Sequence, residues 1–167
     1  FIVSTMTEER APTKRELTRA RVIQAAIECI YRDGFHAAHT NRIAEEAAVS
    51  WGVLQYHFGD KDGLLQAVID HIFDDFSQTL GATSLEGEDL NQRVDELIQT
   101  IWQLISKKEY RVSVAILRNR LQAMGYLGRS ATSTYDPSIQ QAVQVFQMDH
   151  GLTADGVAGP ATIQEIN

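Results

Sequence analysis

Apolar residues recur at intervals of three and four through almost the whole chain, a spacing that calls for amphipathic helices and contains no convincing strand. Between residues 13 and 32, Leu17, Ala20, Ile23, Ala26, Ile27, Ile30 and Tyr31 form one stripe, and Gly34 stands where such a helix commonly stops. A short second helix opens at Thr40 with Ile43, Ala44, Ala47 and Ala48, whose small side chains let a neighbour approach closely. Val49 and Ser50 interrupt it, Ser50 can cap a third short helix from Trp51 to Phe58, and Gly59 ends that one. Asp60 can cap a fourth, whose stripe Leu64, Leu65, Val68, Ile69, Ile72, Phe73, Phe76 and Leu80 runs for about five turns. The segment 81–88, GATSLEGE, is a loop by composition. Leu90, Val94, Leu97, Ile98, Ile101, Trp102 and Ile105 then define another amphipathic helix, and residues 112–124 one more. Residues 129–135 form a polar loop, Asp136 and Pro137 open a helix bearing Ile139, Ala142, Val143 and Phe146, and Pro160 opens a last one to Ile166. The expected fold class is all-α.

A length of 167 residues suits one ordinary domain or two small ones with modest cores. Cys29 is the single cysteine, so neither an intrachain disulfide nor a cysteine-built zinc cluster can form, and it reads as inert packing. His36, His39, His57, His71 and His150 lack metal-ligand spacing. Asp74–Asp75 and Glu45–Glu46 read as solvated faces, and no nucleophile–base constellation or phosphate-cradling glycine loop is present. The expectation is a non-enzyme with no cofactor and no metal. No apolar run approaches the roughly 18 residues that span a bilayer, and residues 1–10 lack a signal peptide's basic head and apolar centre. A cytoplasmic protein without a membrane partner is expected, with residues 1–5, ahead of Met6, read as a leader outside the fold.

The net charge of −7 argues against a nucleic-acid partner until its distribution is examined. Arg10, Lys14, Arg15, Arg19 and Arg21 face a single acid, Glu16, which gives that stretch +4 and leaves −11 for the remainder. A basic arm on a supporting helix, followed by two short helices across a tight turn, is the arrangement that sets a recognition helix into the DNA major groove. Trp51, Val53, Gln55, Tyr56 and His57 supply a mixed outer face for that helix. Val49, Leu54 and Phe58 can point inward, and Gly52 lets the backbone approach a partner.

Residues 21–69 resemble the DNA-binding domain of the TetR family of bacterial repressors. The resemblance is carried by the aromatic after Gly34, Ile43–Ala44, Val49–Ser50 with Gly52, the Tyr56–His57–Phe58 ending and Lys61. It implies a double-stranded DNA operator as partner, contacted by Thr40, Trp51, Gly52, Val53, Gln55, Tyr56, His57 and Lys61. Gln55 stands where the family more often has tyrosine, and Ala48 occupies the usual turn-glycine position. Residues 93–119 also resemble the family, at the start of its ligand-binding and dimerising part. Trp102 and Tyr110 are the candidates to line a ligand pocket, with core packing as the plainer role. The later dimerisation helices have no counterpart in this chain, which leaves a homodimer open.

Residues 114–167 are similar instead to the small three-helix peptidoglycan-binding module, through Leu121, Met124–Gly125–Tyr126, Phe146–Gln147, Gly151–Leu152, Asp155–Gly156–Val157, Gly159 and Thr162. Phe146, Leu152 and Val157 are expected in its core, and Tyr135, Gln147 and Asp155 on any wall-binding surface. The sequence therefore divides into a helix-turn-helix domain at 6–80, truncated regulatory helices at 81–113 and the wall-type module at 114–167. Its two resemblances imply different compartments and meet without a linker, as in a chimera. A DNA-binding transcriptional regulator is the leading reading. A non-catalytic peptidoglycan-binding module carrying an idle helical region, and a folded chimera with neither activity, are the alternatives.

Overall fold

The computed structural model describes residues 10–83, 89–128 and 134–166. They form eight helices, α1 (Lys14–Asp33), α2 (Thr40–Glu46), α3 (Trp51–Phe58), α4 (Lys61–Gly81), α5 (Leu90–Ser106), α6 (Lys108–Ala123), α7 (Pro137–Asp149) and α8 (Pro160–Ile166), and no strand occurs among the described residues. None of these helices is long and apolar enough to cross a membrane. The leader expected at 1–5, and most of the loops expected at 81–88 and 129–135, lie outside the described residues.

Side-chain caps set the helix starts. Thr13 and Glu16 form a capping box on α1: the Thr13 hydroxyl accepts from the Glu16 amide at 3.2 Å, and the Glu16 carboxylate accepts the Thr13 amide at 2.6 Å. Ser50, Asp60, Asp89 and Asp136 accept first-turn amides of α3, α4, α5 and α7. α1 and α3 stop at Gly34 and Gly59, whose φ of 84° and 78° suit glycine.

The helices enclose two cores. The first is built by α1, α2, α3 and α4 around Val22, Ile27, Ile43, Leu54, Leu64 and Val68, with Val112 and Ile116 of α6 closing it. The second lies between α6, α7 and α8 around Val114, Leu121, Ile139, Phe146 and Ile166. α6 thus turns one side to each core, and the expected boundary between residues 113 and 114 falls within this continuous helix. Lys108 at its start pairs with Glu28 of α1.

Two expectations for the C-terminal unit are corrected. Gln147, expected on a surface, is 2% exposed. Its Nε2 lies 2.9–3.0 Å from Asp155 Oδ1, the Val157 carbonyl and Thr162 Oγ1, and its Oε1 accepts the Gly156 amide at 2.9 Å. The side chain replaces a backbone ladder for the 155–157 turn, and burial without those partners would be costly. Val157, expected in the core, is 59% exposed because that turn offers its backbone inward and its side chain outward. Phe146 is buried as expected and stacks on His150 with centroids 4.1 Å apart. The α5 stripe also departs from expectation: Leu104 is buried, whereas Leu90, Val94, Leu97, Ile98, Ile101 and Trp102 face solvent.

Gln147→Leu should keep the volume but orphan the Gly156 amide, destabilising the chain by about 1–3 kcal/mol, read as a lower urea midpoint. Burial pushes the Tyr135 phenol up to about 12. The fold holds this proton more tightly than the unfolded chain does, so its contribution is intact below about pH 10 and declines as pH rises toward 12. Melting temperature followed across that interval should fall more steeply in the parent than in Tyr135→Phe.

Candidate nucleic-acid interface

Helix α3 is anchored by one fully buried side chain, Leu54, with Val53, His57 and Phe58 half-buried beside it. Period 3.6 then places Trp51, Gln55 and Tyr56 on the outside. Trp51 is 52% and Tyr56 72% exposed, too much for rings serving the core. The amino-terminal turns of α1 lie alongside. The Arg15 guanidinium sits 5.7 Å from the Tyr56 ring centre and that of Arg19 5.3 Å from Phe58, within cation–π range. Between the two helices runs an open cleft, with Lys14, Arg15 and Thr18 on one wall and Gly52, Val53, Tyr56 and His57 on the other.

The cleft lining carries two cations, Lys14 and Arg15, and no carboxylate. Glu16, the one acid of the basic arm, is held by the α1 cap, and hydrogen bonds from Thr13 lower its carboxyl below the usual range. Asp33 is lowered by the Arg32 guanidinium, which bonds it at 2.9 Å and also reaches Glu46 at 3.1 Å. With Arg42 3.3 Å from Asp33, this network fastens the end of α1 to α2. Arg10, Lys14, Arg15, Arg19 and Arg21 are all exposed.

Of the residues singled out from sequence, Gly52, Val53, Tyr56 and His57 meet at the cleft, and Trp51 and Gln55 share the helix that forms its wall. Thr40 and Lys61 do not line it. Thr40 is the first residue of α2, and Lys61 opens α4 with its ammonium 5.0 Å from the Phe35 ring. Lys14 and Arg15 are the additional residues at the site, and the signal for them was the basic run. Trp102 and Tyr110 are not brought together. Trp102 is 68% exposed beside Gln99 and Gln103, whereas Tyr110 lines a separate cavity.

Two backbone details fix how α3 is presented. Ala48, in the turn before it, has φ 51°, the one positive value for a non-glycine among the described residues. Its amide donates to the Glu45 carbonyl, and that of Val49 to Ala44, closing α2 as a left-handed C-cap does. After α3, Gly63 lets α4 approach so closely that a Cβ there would overlap the Phe58 carbonyl oxygen.

Residues 22–68 match the family model described as bacterial regulatory proteins, tetR family, and residues 111–166 match the one described as "Putative peptidoglycan binding domain". The HTH-type transcriptional regulator BetI of Paraburkholderia phytofirmans is 39% identical over 64 residues, 38% of this chain and 33% of that protein. The HTH-type transcriptional repressor NicS of Pseudomonas putida is 26% identical over 107 residues, 64% of this chain and 50% of its own. The matches thus span a third to a half of these relatives' length. A solved TetR-family transcriptional regulator from Pectobacterium atrosepticum shares the fold, with a TM-score of 0.53 and 23% identity over 94% of this chain and 81% of the other.

Ala48→Gly should relieve about 1–2 kcal/mol of left-handed strain against about 0.4–1 kcal/mol of added unfolded-chain entropy, a net gain of roughly 0.5–1 kcal/mol. Gly63→Ala should cost about 1–3 kcal/mol through overlap with Phe58. Urea unfolding of the two variants should therefore shift the midpoint in opposite directions.

Proposed function

We propose that the chain, with its tetR-family segment at residues 22–68, is a DNA-binding transcriptional regulator. It reads a double-stranded operator with the outer face of α3 and holds the flanking phosphates with the first turns of α1. The observation that carries this reading is Tyr56, an exposed ring beside Arg15 on a helix whose other face is anchored by Leu54. Tyr56, Trp51, Gln55, Val53 and His57 are the proposed groove contacts, and Gly52 leaves room for the sugar-phosphate backbone. Lys14, Arg15, Thr40 and Lys61 are the proposed phosphate contacts. A cytoplasmic setting follows from the partner.

One helix-turn-helix buries only a small area on DNA, about 600–1,000 Å² for a single module, so the proposal includes a homodimer bound to two half-sites. In this organisation residues 6–80 are the DNA-binding head, 81–113 a shortened regulatory segment and 114–167 the wall-type unit. The match at 111–166 favours peptidoglycan binding as the second reading. Gln147 gives that reading no support, because its amide is spent inside the fold.

An operator selected from random duplexes and titrated by anisotropy separates the two readings. Tyr56→Ala should weaken specific binding by roughly 1–3 kcal/mol while sparing nonspecific binding. Arg15→Ala should weaken both and lower the salt slope by about one. Absence of salt-dependent DNA binding, with retention on purified sacculi unaffected by Arg15→Ala and Lys61→Ala, would establish the second reading in place of the first.

A further inference from the structure

Leu90, Val94, Leu97, Ile98, Ile101 and Trp102 all lie on α5 and are between 37% and 74% exposed. Leu90, Val94, Leu97 and Ile101 follow one another at intervals of four, three and four residues, the seam spacing of helices that pair lengthwise, and Ile98 and Trp102 widen the strip on one side. We propose that this strip is the contact through which two copies of the chain associate, each laying its α5 along the other's.

Pattern, charge and area together select a second copy. Val94 and Ile101 alternate with Leu90 and Leu97, and β-branched residues alternating with leucine favour two strands in parallel coiled coils. A strip of this kind is also self-complementary, as a two-fold contact requires. Each chain carries a net charge of −7, so two copies repel unless they meet on a face free of carboxylates. The strip is such a face. Its seam is flanked by Asn91 and Ile98 on one side and by Arg93 and Thr100 on the other, Asp89 is spent on the helix cap, and Glu96 is half-buried. The six apolar side chains leave on the order of 600 Å² in water, the upper end for the largest patch on a typical monomer. Pairing two of them covers about 1,200 Å², the lower bound of stable interfaces. A lipid surface fits less well, because interfacial helices carry Lys and Arg opposite their apolar face, whereas α5 and its cap hold Asp89, Asp95 and Glu96 against one cation, Arg93.

The surface is distinct from the later helices to which the family resemblance assigns dimerisation. It deepens the homodimer of the DNA-binding reading and rests on that reading for its purpose. Association itself is measured without DNA, so the two can fail separately.

Sedimentation velocity of the full chain over a concentration series should show the mass rising from one chain to two. Val94 lies near the middle of the strip, close to its counterpart whichever way the two helices run. Val94→Lys and Val94→Glu, each placing a charge opposite its own copy, should each raise the dissociation constant about tenfold or more. An equal mixture of the two should restore the two-chain species, a recovery that needs α5 to meet α5. Circular dichroism identifies the folded variants, and Ile98→Lys with Ile98→Glu replaces any pair that fails to fold. Met148→Lys, on the exposed side of α7, should associate as the parent does. The proposal is overturned if the parent stays a single chain, if a folded charged variant associates like the parent, if mixing restores nothing, or if Met148→Lys abolishes association. A single-chain parent that is retained on phosphatidylcholine–phosphatidylglycerol vesicles would assign the strip to a lipid surface instead.

Discussion

The two opposed apolar sides of α6 hold this molecule together. Val112 and Ile116 seal the core under the helix-turn-helix, while Val114, Leu117 and Leu121 form the floor of the C-terminal core. A helix buried on both sides needs no linker between the units it serves, which is why a boundary drawn at 113–114 has no counterpart in the backbone. The arrangement also couples their stabilities, because unravelling α6 for one core exposes apolar surface belonging to the other. Lys108, paired with Glu28 at the start of α6, adds an attachment to α1 from outside the core.

Much of the head was legible in sequence because its boundaries are local chemistry. Ser50 and Asp60 are caps wherever they precede an apolar period, as Asp136 is in the C-terminal unit, and Gly34 and Gly59 sit at positive φ where a helix stops. Even the departure at Ala48 was visible as an alanine in a turn that usually takes glycine. Gln147 was not legible. A polar residue after a phenylalanine reads as surface, and its burial depends on three acceptors and one donor at positions 155, 156, 157 and 162, which only the folded turn assembles. Val157 failed for the same reason in reverse: its carbonyl is what the core uses, so its side chain is left outside.

The charge pattern follows a similar division between what a total conceals and what geometry assigns. An acidic chain can present a cationic face because electrostatic reach in salt water is short, about 8–10 Å at physiological ionic strength. What matters beside α3 is which charges fall within that reach, and the cleft there is lined by Lys14 and Arg15 and no carboxylate. Glu16 is turned into the α1 cap, and Asp33 and Glu46 are bound by Arg32 at the other end of that helix. The basic side chains of the first turns are left facing solvent, Arg15 next to the Tyr56 ring.

α5 leaves most of its apolar stripe uncovered. Its apolar stripe is as regular as that of α4, yet α4 buries Leu64, Leu65, Val68, Ile69 and Ile72 while α5 buries only Leu104. Periodicity states which side of a helix could be covered and says nothing about whether a covering element exists. In this molecule the helices that follow α5 are committed elsewhere. α6 divides its apolar side chains between the two cores, and α7 and α8 gather around Phe146 on the far side of α6. The C-terminal unit therefore satisfies its own apolar faces before it can satisfy that of α5. Leu90, Val94, Ile98 and Trp102 remain in water as a contiguous stripe of the kind soluble domains rarely leave exposed. The uncovered apolar surface is thus concentrated on a single helix, to which the interior owes one fully buried side chain, Leu104.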